Sequence, residues 1–547
     1  MTARTVPPQD REVRPDGVPL SRRAAIFLIL SLGYFLTAPA NHSISIDPYY
    51  YARIITDEPL MSVPHPRGML WIFAMQCLYR LVAVLVPDPD IFTLFAVLNA
   101  ALTAIAVMLL AHVLRSHFLV SGASAWLGAA FFAASYGVWR YATEIEIYAM
   151  AVLVAIFLLH MTFRLDRCPQ AGRGRGALQL AILGGVGALV YQPLAILSGM
   201  AIPIHLLLRG HVRWLPRYLV ISGTIVALGL VAGAMAGSSR SGDGAVGFLF
   251  QLRELFPELP TAKTALAVAY GLGSDILSAN WLLAHAPVRD LFERVSPGAI
   301  LDEEIYAATR AGWLAWVPLV TLPAAAVLFA VSLRVAIRHR VSGALSGAGP
   351  LLLIWLVLHG AMMTVLSPTG FEGWILALVP LTILWSVLCV GPCMAAGRAG
   401  LVGVLALVLV AHNGLAGIGI QFSPASDFFR ARGTALIERT GPGDLIVIGT
   451  NWNLQQYLDH MAAADVLRTD EAGMEATRAA IERVLSAGGR VVMLDDVVEP
   501  NADMKAARPV LSEEVAALAG TYLANGVRFE TGDAGYGYAI DPSGAAP

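Results

Sequence analysis

Charged side chains are scarce in this chain. Aspartate, glutamate, lysine and arginine make up only 14% of its 547 residues, whereas they make up about 25% of a typical soluble domain. Lysine is almost absent, since Lys263 and Lys505 are the only two, and the formal net charge is −2. The chain therefore lacks the positive excess of a nucleic-acid-binding protein, and its composition excludes an ordinary soluble fold.

Cysteine is also rare. The four cysteines, Cys77, Cys168, Cys389 and Cys393, include no CxxC pair and no Cys/His cluster. The sequence therefore gives no sign of a zinc site or of a disulfide framework. Cys389 and Cys393 lie four residues apart in a hydrophobic stretch, where we expect them to pack as small apolar side chains.

Long hydrophobic runs are what the chain has instead. Hydrophobic residues account for 57% of it and the mean hydropathy is +0.65, which predicts an integral membrane protein. A helix needs about 20 mainly apolar residues to cross a bilayer. The segments that meet this length loosely are 24–41, 91–114, 120–139, 147–163, 217–236, 312–333, 349–366, 374–391 and 400–419.

Two further hydrophobic regions are ambiguous, and the positions of the arginines resolve them. Segment 68–86 contains Arg80, and segment 177–208 is interrupted at residues 191–193. If the first lies along the outer interface and the second folds as two short helices, every arginine cluster falls on the cytoplasmic side. This arrangement predicts about eleven spans, with the N terminus inside and the C terminus outside.

The end of the chain changes character. Two short apolar runs, 444–450 and 490–496, are predicted to be buried parallel strands. The periodicity of 471–486 and 512–523 predicts helices. Strands that alternate with helices are typical of a small α/β domain.

The predicted architecture is therefore a polytopic α-helical protein of the plasma (inner) membrane. Residues 1–23 are expected to form a disordered cytoplasmic N terminus, and residues 24–419 the membrane domain with its interfacial helix after the first span. Residues 420–547 are expected to form the α/β domain on the extracytoplasmic side. The outer face receives the longer polar loops, so we expect the function there.

Ionisable residues gather in two stretches next to predicted spans. Polar groups this close to the hydrocarbon are usually functional or paired. If the second stretch is helical, Arg140 and Glu144 share a face and could form a simple pair, whereas Glu146 points elsewhere. The candidates are Asp47, His65 and Arg67 in the first stretch and Arg140, Glu144 and Glu146 in the second.

At these two stretches the sequence resembles the membrane glycosyltransferases of the C superfamily, and within that group the protein O-mannosyltransferase-like branch. The resemblance implies an inverting transferase that moves a sugar from a polyprenyl-phosphate donor to a hydroxyl acceptor at the outer face of the membrane. The matching residues are Asp47 in SIDPYYYA, His65 and Arg67 in HPRGMLW, and Glu144, Glu146 and Tyr148 in TEIEIYA.

Such an enzyme needs a carboxylate that removes the proton of the acceptor. Asp47 is the candidate for this general base; its alternative role is to begin a helix beside Pro48. The donor's phosphate calls for arginine, so Arg67 is predicted to bind it, with the headgroups of ordinary membrane lipids as the alternative. The other predicted substrate-binding residues are His65, Arg140, Glu144, Glu146 and Tyr148.

The sequence leaves several alternatives open. The acceptor could be a protein, a glycan or a lipid, and no cofactor is certain. Asp47, Asp57 and Glu146 could share a divalent metal, although they follow no fixed spacing motif. The competing function is a transporter or flippase of a lipid-linked or polar substrate, marked by ionisable residues in mid-span. A third class is a membrane-anchored binding protein, which would need far fewer spans.

Overall fold

The structure is a computed structural model that describes most of the chain. Two predictions fall wholly or mainly outside it: His65 as a substrate contact and the disorder of residues 1–23, of which 1–18 are not described. The described residues are 19–45, 47–60, 66–118, 120–237, 262–295, 302–339, 345, 347–366, 370–500, 509–524, 526–532 and 535–542.

The first part of the chain is almost entirely helical. Helix α1 begins at Leu20, slightly earlier than the predicted first span, and packs against α4. The helices are α1 (Leu20–Leu36), α2 (Pro48–Thr56), α3 (Met69–Leu85), α4 (Ile91–Phe118), α5 (Gly122–Ala134), α6 (Tyr136–Tyr141), α7 (Tyr148–Arg167), α8 (Gln170–Val190), α9 (Ile202–Leu208) and α10 (Leu215–Gly237).

Helices also form between the predicted spans 217–236 and 312–333. Alanine and leucine, both strong helix formers, dominate the start of this helical part. The helices from here to the end of the membrane domain are α11 (Ala262–Ile276), α12 (Ala286–Val295), α13 (Asp302–Thr309), α14 (Pro318–Arg338), α15 (Gly349–Leu366), α16 (Phe371–Trp385), α17 (Gly391–Ala395) and α18 (Ala399–His412).

Seven of the described helical segments are long and apolar enough to cross a membrane, and four shorter apolar helices accompany them. The protein is therefore a polytopic helical membrane protein, while a total of about eleven spans stays a prediction. The seven segments are Ile91–Phe118, Tyr148–Arg167, Val212–Ala236, Gly312–Arg338, Gly349–Leu366, Glu372–Ala395 and Ala399–Phe422.

Segment 68–86 folds as one helix, α3, and segment 177–208 is divided as predicted, although its first helix, α8, is 21 residues long rather than short. Helix α3 packs against α2 and α8, and the Arg80 guanidinium donates a 2.7 Å hydrogen bond to the backbone oxygen of Glu58. Helix α8 ends where Tyr191 takes an extended backbone, and Pro193 cannot supply the N–H that would continue the helix. The chain resumes as a π-helical turn, Ile196–Ala201, that leads into α9.

A five-stranded sheet flanked by helices forms the end of the chain, as predicted. Its strand order is β2-β1-β3-β5-β4, with β1 parallel to β2 and β3, and β5 antiparallel to its neighbours. The strands are β1 (Leu445–Ile448), β2 (Asp465–Arg468), β3 (Val491–Leu494), β4 (Val527–Glu530) and β5 (Tyr536–Ile540).

The two predicted strands, β1 and β3, are buried along their whole length, so side chains on both sheet faces pack against apolar neighbours. Strands β2 and β4 are half-buried or exposed and lack the apolar run that would reveal them in the sequence. The helices of this domain are α19 (Phe428–Ile437), α20 (Trp452–Met461), α21 (Thr469–Ala472), α22 (Met474–Ser486), α23 (Asp495–Val498) and α24 (Pro509–Leu523).

The α/β domain rests on the loop that follows α1. The Asn41 side-chain amide donates a 2.7 Å hydrogen bond to the backbone oxygen of Ser426, and the His42 backbone N–H donates to Asp427 Oδ2 at 3.0 Å. Helix α2 packs along α20. The sheet domain and the residues around Asp47 therefore lie at the same end of the helical bundle.

Candidate active site

Asp47 directly precedes α2. Pro48 occupies the first turn of that helix, where its missing N–H has no partner to lose. The Asp47 side chain, however, accepts no hydrogen bond from the backbone N–H groups of the helix. Asp47 therefore stands at the start of the helix, as its alternative role supposed, but its side chain does not cap the helix. The half-buried carboxylate is instead close enough to other ionisable groups for their charges to act on it.

Charges from two distant parts of the chain act on this carboxylate. Burial is the largest cause that raises the pKa of Asp47, and the charge of Glu372 raises it further. The guanidinium of Arg67 lowers it, and the resulting pKa is about 7. A carboxyl group that titrates near neutral pH can take up and release a proton under physiological conditions, as a general base must.

Glu146 is the second carboxylate of this group. It lies in the bend between α6 and α7 and is fully buried. Apart from a weak contact with the Ile147 backbone N–H, neither carboxylate oxygen accepts a hydrogen bond from the residues that the structure describes. Burial first, then the charges of Asp47 and Glu372, raise the pKa of Glu146 well above its ordinary value.

Glu372 completes the group and was missed by the sequence analysis. It lies in the first turn of α16, where the hydroxyls of Tyr148 and Tyr141 donate hydrogen bonds of 3.0 and 3.4 Å to its Oε2. A signal was present, since Glu372 is the only acidic residue between Glu304 and Asp427. The predicted substrate contact Tyr148 thus holds a carboxylate in place.

Arg67 approaches the group from a short turn, Pro66–Gly68, that precedes α3. Its side chain is exposed, and its backbone oxygen accepts a 3.1 Å hydrogen bond from the Gln192 backbone N–H at the break after α8. A Cβ atom on Gly68 would lie 2.7 Å from Ile147 Cδ1. A larger residue at position 68 would therefore require the side chain of Ile147, which follows Glu146, to shift.

Arg140, Glu144 and His42 form a hydrogen-bonded network of their own. Arg140 Nη1 donates a 2.5 Å hydrogen bond to Glu144 Oε1, and His42 Nδ1 lies 3.0 Å from Glu144 Oε2. Both partners of the ion pair are fully buried. Burial raises the pKa of Glu144, but the charges of Arg140 and His42 outweigh it and the pKa is lowered.

The geometry of this pair differs from the expected one. The sequence suggested two residues on one face of a helix, but α6 ends at Tyr141 and Glu144 lies in the bend that follows. The Arg140 Nη2 group also donates to the backbone oxygen of Asn41 at 3.1 Å. These two predicted substrate contacts therefore brace the junction between the membrane helices and the α/β domain.

The structure does not bring together the three carboxylates that were considered as a shared metal site. Asp57 is exposed at the far end of α2 from Asp47 and accepts a 2.7 Å hydrogen bond from Thr56 Oγ1. Within the described part of the chain, no group of three or more His, Cys, Asp or Glu residues is arranged to hold a metal ion. His65 lies outside the described residues.

Comparisons with known proteins bear on the fold. No protein-family model and no curated protein matches the chain. Among solved structures it is similar to ArnT from Cupriavidus metallidurans bound to undecaprenyl phosphate, with a TM-score of 0.56 and 12% identity over 97% of this chain and 100% of ArnT.

A weaker likeness is to the oligosaccharyltransferase AglB from Archaeoglobus fulgidus in complex with an inhibitory peptide and a dolichol-phosphate. Its TM-score is 0.46 at 12% identity, over 96% of this chain and 75% of AglB. The protein O-mannosyltransferase-like branch stays a prediction. The likeness to ArnT shows that the helical bundle and the sheet domain at its end share the fold of that protein.

Proposed function

We propose that this protein is a membrane glycosyltransferase that moves a sugar from a polyprenyl-phosphate donor to a hydroxyl group of an acceptor, with inversion at the anomeric carbon. The observation that carries the proposal is the convergence of Asp47, Glu146 and Glu372 with Arg67 at one end of a C-superfamily fold. The undecaprenyl phosphate bound by ArnT supports a polyprenyl phosphate as the lipid partner.

In the proposed reaction Asp47 accepts the proton of the acceptor hydroxyl. The hydroxyl oxygen forms a bond to the anomeric carbon of the sugar, and the bond from that carbon to the phosphate oxygen breaks on the opposite face. The electron pair leaves with the polyprenyl phosphate. Such base catalysis typically contributes about 10²–10⁴-fold to the rate, and a pKa of about 7 suits Asp47 to it.

Arg67 is the proposed ligand of the donor phosphate. A guanidinium group stays charged at every physiological pH and presents several fixed donors to phosphate oxygens. The Arg67 side chain is exposed and lies in the turn before the short apolar helix α3, where a lipid headgroup can reach it. Its charge offsets the negative charge that grows on the leaving phosphate.

Three carboxylates around one arginine would repel an anionic donor if all were ionised. Burial, and then the charges of Asp47 and Glu372, raise the pKa of Glu146 well above its ordinary value, which favours its neutral form. Glu372 is stabilised by the hydroxyls of Tyr148 and Tyr141. The raised pKa of Glu146 thus reduces the negative charge that the site presents to the phosphate.

The site is proposed to face the outside of the plasma membrane, together with the α/β domain. Asp47 precedes α2, Glu146 precedes α7 and Glu372 begins α16, so all three acids lie at helix starts. The arginine distribution supports the outer side for this end. In a cysteine-free background, a cysteine between residues 164 and 176 should react with an impermeant label only from the cytoplasm, and one after residue 430 only from outside.

The competing function is a transporter or flippase. The acids of the site gather at the ends of helices rather than in the middle of spans, which favours chemistry at the interface over passage through the membrane. A membrane-anchored binding protein, the third class, does not need this many apolar helices.

A transfer assay in detergent separates these functions, because no second compartment exists there. We expect purified protein, given a panel of polyprenyl-phosphate sugars and hydroxyl acceptors, to release polyprenyl phosphate and form a glycosylated product. Movement of an intact donor across liposomes with no cleavage of its sugar–phosphate bond would contradict the proposal and support a flippase.

A further inference from the structure

The loop that follows β1 lies where the order of the strands in the α/β domain reverses. Strand β1 lies between β2 and β3, and the chain runs from β1 to β2 on one side before it returns past β1 to β3 on the other. In open parallel sheets, ligands bind beyond the carboxyl ends of the strands at such a switch point. Here the loop at that point, residues 449–451, leads directly into α20.

The first residue of α20 is an aromatic side chain that contacts the helix of the proposed base. The rings of Trp452 and Tyr50 lie 5.1 Å apart, centroid to centroid. Tyr50 in turn lies close enough to Asp47 and Arg67 for the charges of both to act on its hydroxyl. Trp452 is only half-buried, so an indole face from the α/β domain stands next to the site on the membrane helices.

Polar groups accompany this indole. The Asn453 side-chain amide donates a 3.3 Å hydrogen bond to Oε1 of Glu303, a buried residue of α13. Gln456 lies one helical turn after Trp452 and Asn453 and so shares their face. It is buried, and its Oε1 accepts no hydrogen bond from the described residues. A buried amide oxygen without a donor is costly unless a ligand or water supplies one.

We propose that Trp452 and Asn453 form the binding platform for the acceptor, and that the acceptor is a neutral glycan. This inference rests on the proposed glycosyltransferase function and names its acceptor class. The indole face stacks on the C–H face of a sugar ring, while the Asn453 amide, oriented by Glu303, bonds to its hydroxyls. A sugar hydroxyl bound there lies beside Tyr50 and so near Asp47.

The chemistry of the platform favours a glycan over the other acceptors. The first turn of α13 carries Asp302, Glu303 and Glu304, and these acids oppose the phosphates of an anionic lipid headgroup. An acyl chain would leave the amides of Asn453 and Gln456 unpaired. A peptide bound as an added strand needs an open sheet edge, but β1 is a central strand with β2 and β3 on its two sides.

The first test is binding, which does not depend on turnover. The purified full chain is applied to an array of neutral oligosaccharides, and the affinity of the strongest ligand is measured for variants. Loss of stacking predicts that Trp452→Ala weakens binding about tenfold or more, whereas Trp452→Phe retains most of it. Trp313→Ala, which removes an indole that is 69% exposed outside the platform, is the matched control and should bind as the wild type does.

Three results would overturn the inference. The wild type could bind no neutral glycan on the array, or Trp452→Ala could bind glycans with the affinity of the wild type. Trp452→Ala could also transfer sugar to a peptide or lipid at the wild-type rate. If Trp452→Ala does not purify as a folded protein, Asn453→Ser provides the same comparison. Binding of undecaprenyl phosphate by Trp452→Ala should equal that of the wild type. A wild type that binds glycans but cleaves no donor would refute the proposed function and leave the platform standing.

Discussion

Glu144 and Glu146 are separated by one residue and both are fully buried, yet their surroundings are opposite. Arg140 and His42 surround Glu144 and lower its pKa, whereas acidic neighbours and burial raise the pKa of Glu146. Both residues lie in the bend between α6 and α7, but the groups around their carboxylates differ. The comparison shows that two neighbouring buried carboxylates can be stabilised differently: Glu144 by charged partners, and Glu146 by none that the described residues supply.

The largest expected effect is on protein stability and concerns Glu144, the carboxylate with an ion-pair partner. Arg140→Met leaves the Glu144 carboxylate buried without its main partner, and breaking a buried ion pair in this way costs about 3–5 kcal/mol. We expect a large fall in the temperature of unfolding in detergent. Glu146→Gln is the matched control, because it removes an equally buried carboxylate that has no ion pair to lose. An equal loss of stability in both variants would contradict the inference that Glu144 depends on an ion pair and Glu146 does not.

The next effect concerns Asp47. Asp47→Asn keeps the size of the side chain but removes the basic carboxylate, so we expect turnover to fall on the order of 10²-fold or more. Donor binding should persist. Asp57→Asn, at the exposed far end of α2, is the control and should transfer sugar at a near-normal rate. Near-normal transfer by folded Asp47→Asn would assign the base to another carboxylate.

Stability as a function of pH checks that the Asp47→Asn variant is folded. Because the pKa of Asp47 is raised from 3.8 to about 7 in the folded protein, its contribution to stability is complete below pH 3.8 and is lost as the pH rises through about 7. The variant has no such loss. At pH 8 it should be at least as stable as the wild type, as thermal unfolding would measure.

A smaller effect is expected for Arg67→Ala. The loss of a charge-assisted contact with phosphate should raise the KM for the donor by about tenfold, with little change in unfolding because the side chain is exposed. Arg80→Ala provides a control, since Arg80 bonds to the backbone of Glu58 instead of facing the site. An unchanged donor KM in Arg67→Ala would return Arg67 to a contact with ordinary lipid headgroups.

The smallest effect is a shift in the pH profile. If ionised Asp47 is the base, kcat/KM should rise with pH to a midpoint near 7. Glu372→Gln removes a charge that raises the pKa of Asp47 and should move this midpoint to lower pH. Arg67→Ala should move it to higher pH. Shifts in the same direction for both variants would show that Asp47 does not control the profile.

The sequence predicts those features that depend on local patterns. Long apolar runs indicate the membrane helices, Pro193 marks the break after α8, and the apolar runs at β1 and β3 reveal two central strands. The N-terminal candidates Asp47 and Glu146 could be identified because each lies in a polar stretch beside a hydrophobic one. Short-range composition is enough for all of these.

Features that depend on distant contacts could not be predicted in the same way. Glu372 lies more than 300 residues after Asp47, on a helix that packs against α7, and no local pattern connects the two residues. The edge strands β2 and β4 have no apolar run, because solvent covers part of them. Arg140 and Glu144 stay predicted substrate contacts, but no local pattern could show that His42, 102 residues earlier in the chain, lies on the other oxygen of the Glu144 carboxylate.

The contacts of the first loop have a consequence for the order of events during synthesis. Asn41, His42 and Ser43 each bond to a residue that lies 385 positions later in the chain. The ribosome makes this loop early and its partners near the end, and domains made first begin to fold first. A chain truncated after α18 would carry all three site acids but lack the contacts that fix the loop before Asp47. We therefore expect the loop before Asp47 to reach its final position only after nearly all of the chain has been made.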